Sequence, residues 1–289
     1  MAKDTFLYRK RTLNLRGKLV DLAIPAIMGI LNITPDSFFK GSRVDTIDAA
    51  LNRVEDFLEL GANFIDVGAY SSRPGAIDIT PEEELQRLIP FIENISKRFP
   101  EAILSVDTFR SKVAKLAVEA GATMVNDISA GSLDEDMFET IAALNVPYII
   151  MHMKGTPQTM KELAQYSNIS IEVSNYFSAK IAKLHALGVK DIIIDPGFGF
   201  AKSIDDNYEL LQHLEDLQIF GLPILVGVSR KGMIHKYLNT TAAEALNGTT
   251  VVNTIALLKG ANILRVHDVK EASECVRLVQ KMQEQYPLK

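Results

Sequence analysis

Short apolar runs rich in Val and Ile alternate along the chain with longer amphipathic stretches, the pattern of strand–helix units laid on a parallel sheet. Strands are predicted at 26–31, 63–67, 102–106, 123–125, 148–151, 191–194, 224–228 and 262–266. A helical pattern follows each of them, which makes eight repeats. With about 24 N-terminal residues set aside, a repeat averages roughly 33 residues, close to the ~30 that one βα unit with its return needs. A closed α/β barrel, the (βα)8 TIM barrel, is the economical solution. An open doubly wound sheet would need a glycine-rich turn after its first strand, and LNITPDSF carries no glycine there.

Helix punctuation agrees with this reading. Thr80-Pro81-Glu82-Glu83-Glu84 offers an N-cap, a proline at the first helical position and acids in the first turn. Gly61, Gly121 and Gly188 each close an apolar helical stretch before a strand. Residues 6–22, with Arg16-Gly17-Lys18 between alternating runs, read as an N-terminal β-hairpin placed to plug the barrel bottom. Residues 1–24 then form the hairpin and 25–289 the barrel of one domain, without linker or low-complexity tract.

Composition narrows the chemistry. The 289 residues carry 36 acidic against 31 basic side chains, a formal charge of −5, so no overall field attracts nucleic acid or acidic lipid. An anionic ligand must be held by a local cluster. The single cysteine, Cys275, excludes an intrachain disulfide and a cysteine-based metal cluster. No apolar run approaches the roughly 20 residues that span a bilayer, and the opening MAKDTFLYRKRTL lacks the apolar stretch of a secretory signal, so a cytoplasmic protein is expected.

In such a barrel the active site lies at the C-terminal ends of the strands. The residues there are Asn32, Asp66, Asp107, Asn126, His152, Asp195, Ser229 with Lys231, and Arg265 with His267. Any single Asp or Asn could merely end a strand or cap a helix. Together they make a polar pocket that structure alone does not require. Arg265 and His267 alternate, so both face one side, and barrels commonly hold phosphate near their last two strands. Two long loops complete the picture: 34–43, with Phe38 and Phe39, and 68–76, with Tyr70. Loops of that length in a compact barrel serve as functional lids.

The segments MGILNITPDSF, SSRPGA, SVDTFRSKVA, VNDISAG, MHMKGTPQTM, DPGFGFAKS, VGVSRKGM and RVHDVKE, in this order from residue 28 to 271, resemble the signature set of the dihydropteroate synthases. That resemblance implies condensation of 6-hydroxymethyl-7,8-dihydropterin diphosphate with 4-aminobenzoate, with Mg2+ as cofactor and pyrophosphate as leaving group. It implies a homodimer, small-molecule substrates only, and neither nucleic acid nor membrane as partner.

Residue roles follow from the same resemblance. Asp195, at the DPGFGF position, would accept two hydrogen bonds from the pterin amine and ring N–H. Asn126 would share that ring edge, Lys231 would donate to the carbonyl and N5 side, and Asp107 would face the opposite nitrogens. Met151, Phe200 and Gly227 would shape the slot. Asn32, Arg73, Arg265 and His267 would hold the diphosphate, with Asn32 as the Mg2+ ligand. Phe38, Ser72, Arg73, Pro74, Lys231 and Gly232 would enclose aminobenzoate, the helix start at Gly232 meeting its carboxylate. Asp107, Lys231, Arg265 and His267 form the expected catalytic set, without a nucleophilic side chain. The sequence departs from the family pattern at Lys40, Ala69-Tyr70 and Gly232, all on the aminobenzoate side.

Other patterns carry less. Residues 197–202, GFGFAK, lack the third glycine of a dinucleotide fingerprint. His152, between two methionines, reads as a packed histidine rather than a metal ligand. A methyltetrahydrofolate-using methyltransferase would share the pterin residues but has no diphosphate for Arg73, Arg265 and His267 to hold. A catalytically silent pterin-binding module would be expected to lack Asp107 or Lys231, and both are present.

Overall fold

The computed structural model describes residues 10–33, 46–71 and 78–285. Among them the chain begins with an antiparallel hairpin, β1 (Thr12–Leu15) and β2 (Lys18–Asp21). Its two-residue turn places Arg16 and Gly17 at φ +52° and +92°, the left-handed pair that a twisted hairpin demands. Strand–helix units follow: β3 (Ala26–Asn32), α1 (Ile47–Glu59), β4 (Phe64–Gly68), α2 (Pro81–Arg98), β5 (Ile103–Asp107), α3 (Ser111–Ala120), β6 (Met124–Asp127) and α4 (Met137–Leu144). Then come β7 (Tyr148–Met151), α5 (Ile169–Ala186), β8 (Ile192–Asp195), α6 (Ile204–Gln212) and a 3-10 helix at Leu214–Phe220. The chain ends with β9 (Leu225–Val226), α7 (Gly232–His235), α8 (Leu246–Leu258), β10 (Ile263–Val266) and α9 (Val269–Gln285).

The eight strands from β3 onward run parallel in the order β8-β7-β6-β5-β4-β3-β10-β9. A bridge between Ile194 and Ile224, with Ile194 N donating to Pro223 O at 3.0 Å, joins the two ends into a barrel. All eight expected strands are present. The seventh is shorter than expected, because pairing stops at Val226 and the chain turns through Arg230 at φ +54°. Its return is also broken: α7 is a single turn and α8 completes it.

Each strand is apolar on both faces because both are covered. The outward set, including Leu31, Val67, Val106, Val125, Ile150, Ile194 and Val226, packs on the helices. The inward set Met28, Phe64, Met124, Ile149, Ile193, Leu225 and Ile263 forms a separate floor, on which hairpin residues Leu13, Leu15 and Leu22 sit fully buried. The hairpin is the expected plug.

Gly61, Gly121 and Gly188 close their helices at φ +96°, +131° and +82°. At α2, Thr80 Oγ accepts from Glu83 N at 3.2 Å and Glu83 Oε2 accepts from Thr80 N at 2.9 Å, a reciprocal cap. Of the three acids in the first turn of α2, Glu84 is fully buried, and Arg110 Nη1 donates to it at 2.7 Å. Cys275 is buried and free on α9. No helix among the described residues is long and apolar enough to cross a membrane.

Candidate active site

Inward-facing positions recur every second residue. Two residues beyond the floor, the inward positions are therefore Ile30, Asp66, Ser105, Asn126, Met151, Asp195, Gly227 and Arg265. One step further come Asn32, Gly68, Asp107, Ser229 and His267. The chemistry is thus stacked directly on the hydrophobic floor, at the strand C-terminal ends.

One guanidinium organises the centre. Arg265 donates from Nε to Asp66 Oδ2 and from Nη2 to Asp107 Oδ2, both at 2.6 Å. The same Asp66 Oδ2 accepts from Asn126 Nδ2 at 2.9 Å. Gly68 leaves room for this arrangement, since a Cβ there would lie 3.2 Å from Asp107 Cβ. Burial pushes the Asp107 carboxyl up to about 7 against the pull of Arg265, with Asp66 adding to the rise. Arg265 itself is pushed higher despite its burial, by Asp66 and then Asp107, and stays charged.

Asp195 and Lys231 flank the other side. One carboxylate oxygen of Asp195 accepts from Gly197 N at 2.8 Å, so the residue does start the Pro-Gly turn. Its second oxygen is the ligand-binding candidate, and burial raises the group, with Lys231 opposing. Lys231 Nζ donates to Phe198 O at 2.6 Å and lies 4.8 Å from the centroid of Phe200. Burial brings its ammonium down to about 8, with Asp195 opposing. Gly227 borders the same ammonium, 3.8 Å from a would-be Cβ. Met151 packs with Ile128, Met153, Met160 and Ala201, and Phe200 lies against them, giving an apolar wall beside the polar tier.

On the anion side, Asn32 ends β3 opposite Gly68. His267 is buried, its backbone N–H donating to Ser229 Oγ at 3.2 Å. Burial, then Arg265, holds its imidazole down to about 3, so it offers a neutral N–H rather than charge. Among the described residues no three His, Cys, Asp or Glu side chains gather into a metal cage. A lone amide oxygen at Asn32 suits Mg2+, which takes few protein ligands and completes its shell with phosphate oxygens and water. Gly232 begins α7, whose single turn presents free N–H groups but little macrodipole. Phe38, Phe39, Lys40, Ser72, Arg73 and Pro74 lie outside the described residues.

Some participants escaped the sequence reading. Asp66 stands among the strand-end polar residues but received no role; the two-residue step from Phe64 would have put it inside the barrel, though that step alone does not give its contact with Arg265. Lys202 staples the turn after β8, its ammonium meeting Gly197 O at 2.9 Å, Phe200 O at 3.0 Å and His152 Nδ1 at 3.0 Å. No sequence signal marks that role. His152 is packed as expected, edge-on to Tyr176 with centroids 4.9 Å apart. Tyr70 packs edge-on against Phe109 at 4.9 Å, with the Arg110 guanidinium 5.2 Å from its ring.

Comparison with known proteins bears on this geometry. The family described as pterin binding enzyme matches residues 28–267. The dihydropteroate synthase of Escherichia coli K12 is 42% identical over 267 residues, covering 92% of this chain and 94% of that protein. A Yersinia pestis dihydropteroate synthase in a sulfonamide drug complex superposes with a TM-score of 0.91 at 38% identity, covering 94% of this chain and 99% of that one. Xanthomonas albilineans dihydropteroate synthase with 4-aminobenzoic acid gives 0.87 at 36% identity, covering 94% and 98%.

Proposed function

The chain belongs to the pterin-binding enzymes, and from that premise we propose that it condenses 6-hydroxymethyl-7,8-dihydropterin diphosphate with 4-aminobenzoate, giving 7,8-dihydropteroate and pyrophosphate. The observation that carries the reading is the inward polar tier, where acceptors Asp195 and Asn126 and donors Lys231 and Arg265 meet over an apolar floor.

Asp195 accepts from the exocyclic amine and adjacent ring N–H of the pterin, a charge-assisted pair that compensates its burial. Asn126 shares that edge, Lys231 donates to the carbonyl and N5 side, and Met151, Phe200 and Gly227 bound the ring. Arg265 and His267, with Arg73, hold the diphosphate. Asn32 would hold Mg2+ together with diphosphate oxygens, where the ion would neutralise charge on the leaving group.

The bond from the pterin methylene to the diphosphate oxygen breaks with its electron pair leaving on pyrophosphate. The resulting cation is delocalised into the dihydropterin, and the Asp107 carboxylate balances it. The arylamine lone pair of aminobenzoate then forms the C–N bond, and the arylammonium so formed gives its proton to the released pyrophosphate. Phe38, Ser72 and Pro74 enclose the arylamine, with the Lys231–Gly232 turn at its carboxylate. No protein nucleophile takes part.

A homodimer in the cytoplasm belongs to the same reading. Exposed Val251 and Leu258 on α8, with Leu278 and Met282 on the adjacent α9, support self-association. Sedimentation at micromolar concentration should give twice 32.0 kDa; a monomer there would refute the dimer. The reaction is tested by pyrophosphate release in the presence of Mg2+, expected only when both substrates are supplied. Release that ignores aminobenzoate would refute the synthase assignment.

A further inference from the structure

Asp66 is a fully buried carboxylate that the reaction above does not use. Its Oδ2 accepts from both Asn126 Nδ2 and Arg265 Nε, whereas its Oδ1 is buried with no hydrogen-bond partner among the described residues. An unmet oxygen on a buried carboxylate is costly. Asp107 already engages Arg265 through Nη2, so anchoring the guanidinium does not by itself account for a second carboxylate.

Asn126 supplies the reason. A primary amide is a donor at one end and an acceptor at the other, and the two are nearly isosteric. Which end faces the ligand is decided by what holds the opposite end. Arg265 Nε is a donor only, so it keeps an acceptor oxygen of Asp66 at the Oδ2 position. That oxygen accepts from Asn126 and turns its NH2 inward, leaving the Asn126 carbonyl for the pocket.

We propose that Asp66 is a positioning residue that sets Asn126 to read the pterin amine. This rests on the pterin site assigned above. The exocyclic amine has two N–H groups. Asp195 accepts one, together with the neighbouring ring N–H, and the Asn126 carbonyl accepts the other. A reversed amide would set donor against donor. Arg265, Asp66 and Asn126 thus form a relay of hydrogen-bond polarity, in which the charge of Arg265 fixes the sense of an amide four strands away.

The test is calorimetric binding of 6-hydroxymethylpterin and of its analogue with oxygen in place of the exocyclic amine, using full-length protein. Wild type should prefer the pterin. Asp66→Ala should cost about 10- to 100-fold in pterin affinity and collapse the preference over the 2-oxo analogue. Asp66→Asn should retain the preference, because Arg265 Nε holds the introduced amide oxygen at the Oδ2 position. Combining Asp66→Ala with Asn126→Ala should add little to Asn126→Ala alone.

Equal loss in Asp66→Ala and Asp66→Asn, or additive losses in the double variant, would overturn the inference while leaving the pterin site standing. Absence of pterin binding by the wild type would overturn the reaction assignment itself, and the inference with it. Should Asp66→Ala not fold, side-chain amide exchange in the wild type decides: the Asn126 NH2 should retain a slowly exchanging proton without ligand, and exchange of both protons at the solvent rate would refute its capture by Asp66.

Discussion

Asp107 and Lys231 give the active site two closely spaced protonation steps, one near neutrality and one just above it. The Asp107 carboxyl is raised to about 7, chiefly by burial, and must be ionised to balance a pterin cation. Lowering the pH through that value adds a proton and removes the balancing charge. The Lys231 ammonium is lowered to about 8, again chiefly by burial, and raising the pH through that value removes its charge and one of its donors. The profile of kcat/KM should therefore be a narrow bell, with an acid limb near 7 from Asp107 and an alkaline limb near 8 from Lys231. Arg265 stays charged throughout and His267, held down to about 3, stays neutral, so neither contributes a limb in this range. Lys231→Arg should move the alkaline limb out of range; if it remains near its wild-type position, another group owns it. Arg265→Ala should weaken the diphosphate substrate far more than a phosphate-free pterin. Equal weakening would place Arg265 outside the anion site.

At the scale of single elements, the strands were the most legible parts of the sequence. Burial on both faces produces compact Val/Ile runs, and all eight lie within a residue or two of expectation apart from the truncated β9. The hairpin was legible for a different reason, since Gly17 sits between two alternating runs and suits the positive φ that a tight turn needs, which the structure shows at Arg16 as well. Its plugging role predicts a large cost for trimming it: Leu13→Ala should lower unfolding free energy by about 2–5 kcal/mol in denaturant titration. A loss near zero would mean that the hairpin does not close the barrel. Gly188 and Gly197 make a paired test of turn geometry. Both have positive φ, but a Cβ at Gly188 meets nothing within 4 Å among the described residues, whereas at Gly197 it would lie 2.1 Å from His152 O. Gly188→Ala should cost about 1–2 kcal/mol from backbone strain alone, and Gly197→Ala clearly more. Glu84 shows where local reading stopped: three consecutive acids look alike in a helix start, and only Arg110, twenty-six residues away, singles one out for burial.

For the whole molecule, the site was legible as a set of strand ends but not in depth. Listing polar residues after each apolar run gathers Asn32, Asp107, Asn126, Asp195, Lys231, Arg265 and His267, because barrel topology brings all strand ends to one face. It does not say that Asp66, Asn126 and Arg265 form one hydrogen-bonded group, since that depends on the register of strands far apart in sequence. Lys202 was illegible for a related reason: its partners are mostly backbone carbonyls, which no residue pattern marks. The assembled pocket should also govern global stability. Pterin diphosphate at about a hundred times its Kd should add about 2.7 kcal/mol to unfolding free energy, visible as a rise in Tm.

The guanidinium of Arg265 is never stranded, because Asp66 and Asp107 engage it before any substrate arrives. An incoming polyanion therefore meets an arginine already neutralised by two carboxylates, and binds through the N–H groups that these do not use instead of meeting a bare cation. Pyrophosphate is therefore expected to be a weak product inhibitor, which initial rates measured with added pyrophosphate would check.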